Sequence, residues 1–202
     1  MVFLIDYGMG NIHSVKKALE VCGADVSVTN RPEDICKSEK IVLPGVGAFD
    51  DAMEELEKQK LDTVIKSEIN KGKLFLGICL GMQLLFESSE EAKNKKGLGI
   101  LKGRISKFPQ GDFKVPHMGW NQIKKKNACP SILNGIEEGA YLYFCHSYYP
   151  KPEEKDVIAA TTENGIDFAS MVCKKNVIGM QFHPEKSQRV GLQIIENFLK
   201  LC

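Results

Sequence analysis

The sequence reads as an α/β fold of three layers, a mostly parallel sheet flanked by helices with a β-rich mixed extension. In the first half, short aliphatic or β-branched runs alternate with helical patterns, as they do where a parallel sheet is covered on both faces. After Phe86 the rhythm changes, and Gly97, Gly99, Gly103, Pro109, Gly111 and Pro116 punctuate short strands. The chain's 202 residues suffice for one well-buried α/β domain and are short for two, so one domain over residues 1–202 is expected.

In chain order, the run Met1-Val2-Phe3-Leu4-Ile5 opens the protein and predicts a buried strand over 2–6. Asp6 interrupts the run, which excludes a signal peptide or a membrane span there. A helix over 11–21 follows, with Asn11 as its N-cap and Gly23 as its stop. Strands are expected at 25–28, 40–43 and 73–78, with helices over 50–59 and 61–71 between them. The β-rich half begins with strands at 103–108 and 119–124 and continues with 141–146, 157–162, 168–173 and 177–182. An amphipathic helix over 190–201 closes the chain. No repeat, linker or low-complexity tract is present.

Lys and Arg total 27 against 26 Asp and Glu, a balance that offers no electrostatic reason to bind nucleic acid or an anionic membrane. Seven cysteines, odd in number and without a Cys-x-x-Cys pair, point to a reducing cytoplasm rather than a disulfide framework.

Two segments carry chemistry. Cys79 sits in Gly77-Ile78-Cys79-Leu80-Gly81, directly after Leu74-Phe75-Leu76. The glycines let the backbone enter strained dihedrals and let other segments come close, which predicts a nucleophile elbow with Cys in place of Ser. A helix beginning near Leu80 and carrying Met82, Leu84, Leu85 and Phe86 would aim its amide end at the sulfur and favour thiolate. The Leu80 amide, next to the nucleophile, is the natural oxyanion donor. The second segment is Gln181-Phe182-His183-Pro184-Glu185. Pro184 ends the strand before it, leaving His183 and Glu185 two apart in extended chain, on one face, where the carboxylate fixes the ring tautomer. Thiol, imidazole and orienting acid are the parts of a catalytic triad. Taken singly, a Cys after an apolar strand is commonly core and His-Pro-Glu is commonly a turn. Their joint presence at the ends of separate strands favours catalysis.

Other motifs are weaker. Pro44-Gly45-Val46-Gly47 follows a strand, where a turn is the default, but its two glycines also allow peptide planes to rotate at low steric cost. Gly8-Met9-Gly10-Asn11 invites a dinucleotide reading that fails, because the third glycine would fall at His13. No phosphate-binding Gly-x-x-x-x-Gly-Lys-Ser/Thr occurs, and no cofactor is implied. His13, His117 and His146 lack metal-ligand spacing. Trp120, the single Trp, reads as core, and the lysines at 93–96 and 124–126 read as solvated loops or strand ends.

Gly77-Ile78-Cys79-Leu80-Gly81-Met82-Gln83, Pro44-Gly45-Val46-Gly47 and Gln181-Phe182-His183-Pro184-Glu185 together resemble the class I (triad) glutamine amidotransferases, a flavodoxin-like α/β family. Pro116-His117-Met118-Gly119-Trp120-Asn121 and the following Lys186-Ser187 resemble the branch that serves histidine biosynthesis, and the likeness runs from Ile5-Asp6-Tyr7-Gly8-Met9-Gly10-Asn11 to the final helix. The resemblance implies Cys79 as nucleophile, His183 as base and Glu185 as orienting acid. It implies an oxyanion hole from the Leu80 amide and the Gly45, Val46, Gly47 loop, one amide of which turns inward only in the active state. It further implies Gln83, Glu91, Ser147 and Tyr148 around the substrate glutamine, and a heterodimer with a (β/α)₈ barrel cyclase that receives ammonia. Asn11, Trp120, Tyr143 and Lys186 would lie at that interface. Two departures are Tyr141-Leu142-Tyr143-Phe144-Cys145 before His146, and Ser147 where Thr is familiar. The residues alone leave open a glutaminase serving another synthase, for a surface sugar or a vitamin cofactor. They also leave open a cysteine peptidase or stress-response protein sharing the elbow, and a noncatalytic module with a vestigial site.

Overall fold

The computed structural model of the chain describes residues 1–126 and 128–201. Its first half runs β1 (Val2–Ile5), α1 (Ile12–Val21), β2 (Val26–Thr29), α2 (Pro32–Ile35), β3 (Lys40–Leu43), α3 (Phe49–Lys58), α4 (Leu61–Asn70), β4 (Leu74–Ile78) and α5 (Leu80–Gln83). The second runs β5 (Phe86–Ser89), β6 (Leu101–Lys107), β7 (His117–Gln122), β8 (Lys124–Lys125), β9 (Tyr141–His146), β10 (Tyr148–Pro152), β11 (Ile158–Glu163), β12 (Asp167–Lys174), β13 (Val177–Met180) and α6 (Gln188–Lys200).

Eight strands form the main sheet in the order β2-β1-β3-β4-β13-β12-β11-β8. The ladders from β2 to β13 are parallel, and β12, β11 and β8 add on antiparallel. A three-stranded sheet β10-β6-β5 and a two-stranded ribbon β7-β9 make up the mixed extension. Alternation along the central strands divides the core. Leu4, Val42, Leu76 and Ile78 face a cluster with Val15 and Leu19 of α1 and Ile194 and Phe198 of α6. Ile41, Leu43 and Phe75 face Met53 and Leu56 of α3 and Leu61 and Ile65 of α4. The three expected layers are these two helix pairs with the sheet between them. Asn11 caps α1 by accepting the Ser14 amide at 3.3 Å, and Gly23 ends it at φ +86°. Among the described residues no helix is long and apolar enough to cross a membrane.

Three expectations are corrected. The helix after Cys79 stops at Gln83, and Phe86 begins a strand. The 98–101 segment captures the carbonyls a longer helix would need: Leu98 N–H donates to Leu84 O at 2.7 Å, and the Ile100 and Leu101 amides donate to Leu85 O at 2.9 and 3.0 Å. Gly97 lacks the side chain that would meet the Leu84 and Phe86 carbonyls at that approach. Tertiary pairing thus overrides an apolar run with good helix formers. Next, the strand expected over 177–182 ends at Met180, and Pro184–Lys186 is a turn of 3-10 helix rather than extended chain. Finally, Trp120 is 46 % exposed rather than core.

Candidate active site

Strands β4 and β13 run parallel and in register, Met180 opposite Ile78, so the residues after them emerge side by side at the carboxyl edge of the sheet, where open α/β sheets place their ligands. Cys79 is tied across by its N–H, which donates to Met180 O at 2.7 Å. Its backbone holds φ 53°, ψ −109°, a region costly for any residue with a side chain. The flanking glycines are steric necessities: a Cβ on Gly77 would lie 2.6 Å from Gly81 O, and one on Gly81 would run into the Leu43 carbonyl. This is the expected elbow, though the single helical turn behind it carries little of the macrodipole that a long helix would supply.

His183 lines the same cavity as Cys79, and its Nδ1 bonds Glu185 Oε1 at 2.8 Å. Both partners of that bond are buried, with side chains 5 % and 1 % exposed. Glu185 reaches the ring because the 3-10 turn folds it back beneath, not because two extended residues share a face. Ser187 closes the turn: its Oγ–H donates to His183 O at 2.6 Å, and its Oγ accepts the Tyr143 amide at 2.9 Å. Burial by itself depresses the His183 ring, but hydrogen bonds to and charge on Cys79 and Glu185 outweigh it and push the ring up to about 10. An imidazole held cationic against a sulfur and a carboxylate is suited to shuttle a proton between thiol and leaving group.

A cavity of about 280 Å³ opens on these groups, lined by Cys79, Leu80, Val46, Gly47, Gln83, Glu91, Ser147, Tyr148, His183 and Lys186 together with Cys145 and His146. It gathers from distant parts of the chain all four residues expected around substrate. A larger depression of about 720 Å³ beside Trp120, Tyr141 and Arg189 includes none of the three triad residues. Gln83 spends its Nε2 protons inside the protein, on Tyr148 O at 3.1 Å and Gln181 Oε1 at 3.0 Å. Only its carbonyl oxygen remains for a ligand, an acceptor suited to an ammonium. Glu91 accepts the Phe49 amide at 3.0 Å; burial raises its carboxyl, which that amide offsets and Asp50 and Asp51 reinforce. Gly45 lies behind the wall, where a Cβ would meet the Tyr7 hydroxyl at 2.7 Å and Leu80 at 2.9 Å. The Val46 N–H donates to Met9 O at 3.3 Å, so this amide is engaged away from the sulfur, and Gly47 turns the loop at φ +100°.

Sequence reasoning missed a chain of imidazoles behind the pocket. His146 Nδ1–H donates to Tyr148 O at 2.7 Å, and His146 Nε2 faces His117 Nδ1 at 3.0 Å. Asn121 Nδ2 reaches His117 Nε2 at 3.0 Å and also donates to Glu163 O at 2.8 Å. Because the terminal carbonyl only accepts, every donor runs one way, and both rings are neutral with the proton on Nδ1. Burial pushes His117 down to about 4 and His146 down to about 3. The motif Pro116-His117-Met118-Gly119-Trp120-Asn121 drew attention to these positions, but the pairing of β7 with β9, His117 opposite His146, is what joins them. Among the described residues no group of three or more His, Cys, Asp or Glu is placed to hold a metal ion.

The four residues expected at a partner interface fall into two groups. Trp120 and Tyr143 meet edge to face at 6.1 Å, and Lys186 Nζ sits 5.8 Å over the Tyr143 ring, which in turn lies 6.4 Å from His183. Met118, 61 % exposed, extends this surface. Asn11 lies at the start of α1, a helix that packs against the Pro184–Lys186 turn.

The chain is similar to known proteins over nearly its whole length. The profile of the family described as Glutamine amidotransferase class-I matches residues 3–202. The chain is 49 % identical over 203 residues to the imidazole glycerol phosphate synthase subunit HisH of Geobacter metallireducens, covering 98 % of this chain and 96 % of that protein. It is 50 % identical over 198 residues to the protein of the same name from Caldanaerobacter subterraneus subsp. tengcongensis, covering 98 % and 97 %. A crystal structure of a glutamine amidotransferase superposes with TM-score 0.77 at 16 % identity over 98 % of this chain and 99 % of that one. The structure of PurLQS from Thermotoga maritima does so with TM-score 0.76 at 21 % identity over 98 % and 96 %. At these identities the two structures speak for the fold.

Proposed function

The chain belongs to the class I glutamine amidotransferase family, and from that premise we propose that it is the glutaminase subunit of imidazole glycerol phosphate synthase. It hydrolyses glutamine to glutamate and ammonia and passes the ammonia on for histidine biosynthesis. Near full-length relatives at about half identity, named as that subunit, support the assignment. The observation that carries the chemistry is the Cys79, His183 and Glu185 constellation at one cavity.

In the reaction, Cys79 sulfur attacks the carboxamide carbon of glutamine. His183, which already holds the proton given up by the thiol, passes it to the departing ammonia, leaving a γ-glutamyl thioester and a neutral imidazole. Water, deprotonated by His183, adds to the thioester, and collapse expels the thiolate and releases glutamate. Glu185 holds the ring throughout. The Leu80 amide and an amide of the Gly45, Val46, Gly47 loop receive the oxyanion. The engagement of Val46 N–H by Met9 O supports a resting loop that must rotate before it donates, and a missing oxyanion donor costs about 3 to 4 kcal/mol, roughly 10² to 10³ in rate. Gln83 through its carbonyl oxygen and Glu91 through its carboxylate suit the α-ammonium of substrate, with Ser147 and Tyr148 on the opposite wall.

Ammonia released at an open site is lost to water as ammonium. A synthase partner therefore docks over the site, a (β/α)₈ barrel cyclase that forms a heterodimer with this chain. Trp120, Tyr143, Lys186 and Asn11 provide the docking face, with Lys186 and Tyr143 next to the catalytic imidazole. The whole of residues 1–202 acts as one glutaminase domain in the cytoplasm, where its free thiols stay reduced. The test is glutamate release by the chain mixed with the purified cyclase and its nucleotide ligand. No stimulation by that barrel, with stimulation by another synthase subunit, would reassign the partner.

A further inference from the structure

We propose that Gln181 is a further catalytic residue, a fixed hydrogen-bond donor to the Cys79 sulfur whose polarity is dictated across the pocket by the backbone carbonyl of Tyr148. The inference rests on the reading of Cys79 as nucleophile. Gln181 is fully buried, its backbone is pinned by N–H donation to Ser170 O at 2.9 Å, and its Nε2 lies 3.7 Å from Cys79 Sγ.

Which end of the Gln181 amide faces sulfur follows from its neighbours. Tyr148 O can only accept, so the Gln83 amide must present nitrogen to it, 3.1 Å away. The second proton of that nitrogen goes to Gln181 Oε1 at 3.0 Å. With the oxygen of Gln181 committed to Gln83, its NH₂ is left pointing at sulfur. The reverse orientation would set two NH₂ groups against each other and turn a carbonyl oxygen toward a thiolate. His146 reinforces the polarity by donating from Nδ1 to the same Tyr148 carbonyl.

The arrangement discriminates between the two states of sulfur. A neutral thiol finds an acceptor in Cys145 O at 3.9 Å. The thiolate cannot use that carbonyl, but meets N–H donors from Gln181 and His183 already in place, and charge-assisted bonds of this kind are the stronger ones. The same donors receive the thiolate when it leaves the thioester. Being preorganised, they require no rearrangement during reaction.

The test uses the full chain and iodoacetamide, following alkylation of Cys79 by peptide mass spectrometry over a pH series. Exposed Cys36 serves as internal reference, and near-ultraviolet circular dichroism checks the fold. Gln181→Met, similar in size but without a donor, is expected to slow Cys79 labelling about tenfold at neutral pH and move its profile to higher pH. Gln181→Glu, which turns an oxygen toward sulfur, is expected to slow it further, and Gln83→Leu, which frees the Gln181 amide to turn, to slow it less. Cys36 labelling is unchanged in each. Cys79 labelling as fast as in the unmodified chain in any folded Gln181 variant overturns the proposal, and so does equal slowing at Cys36. Because no glutamine is turned over, failure here is separate from failure of the glutaminase reading, which would appear as absent glutamate release by the unmodified chain with its partner.

Discussion

Cys79 holds a left-handed φ that glycine would accept without penalty, and the strain is tolerated because its N–H and the glycines around it fix the turn from both sides. Cys79→Gly is therefore expected to be more stable than Cys79→Ala by about 1 kcal/mol in urea denaturation. Equal stabilities would remove the claim of strain. Both variants should fold and release no glutamate, and a glutaminase-active Cys79→Ala would take the thiol out of the mechanism. His183 is raised above its ordinary 6.5 to about 10. Its contribution to stability is thus complete below about pH 6.5 and lost as pH rises through about 10. Since hydrogen bonding and charge at Cys79 are among the causes, the His183 imidazole followed by NMR should titrate lower in Cys79→Ala than in the parent chain. An unchanged midpoint would mean that sulfur and ring do not interact. At this scale the triad was legible, because each member sits in a short contiguous motif. Gln181 stood in one of those motifs, but its donation to sulfur depends on Gln83 and Tyr148, which no local pattern connects to it.

The shortness of α5 makes Gly81 informative at the scale of elements. Helix propensity alone favours alanine over glycine by about 1 kcal/mol, whereas the Leu43 carbonyl occupies the space a Cβ needs. Overpacking of this kind costs about 1 to 3 kcal/mol, so Gly81→Ala is expected to lower the melting temperature, and a rise would show that the β3–elbow approach is loose. The β7-β9 ribbon carries a second prediction. His117 and His146 are held neutral by burial, at about 4 and about 3, while unfolded histidines take up protons near 6.5. The unfolded chain therefore gains protons first, and stability falls as pH drops from about 6.5 toward 4. A His117→Gln/His146→Gln variant should show a shallower decline in urea midpoints over that window; an unchanged slope would place the acid sensitivity elsewhere. Sequence periodicity located α1, α3, α4 and α6 and the parallel strands of the main sheet, whose patterns are strong and local. It missed α2, only four residues long, and it missed β5, β10 and the end of α5, which are set by hydrogen bonds from the 98–101 segment and by pairing with β6.

Across the molecule, parallel pairing of β4 with β13 aligns two chain segments far apart in sequence, so that Cys79 and His183 leave the sheet at one edge. The Gly45, Val46, Gly47 loop after β3 and the β9–β10 connection reach the same edge and wall the cavity. The proposed partner face lies beside it, with Tyr143 against both Trp120 and Lys186 and next to His183. Sequence motifs indicated these members, but only the fold shows that Tyr143 joins Trp120 to Lys186. On the proposed function docking would be coupled to chemistry: a partner seated on that face would lie against the turn that carries His183, and Val46 N–H, now donated to Met9 O, would have to leave it to serve the oxyanion. The most direct measurement is the steady-state rate of glutamate release by the chain alone and by its complex with the nucleotide-bound cyclase. The expected result is a nearly silent isolated chain and stimulation of at least roughly 10² to 10³, the value of one restored oxyanion donor. An isolated chain that hydrolyses glutamine as fast as the complex would contradict it.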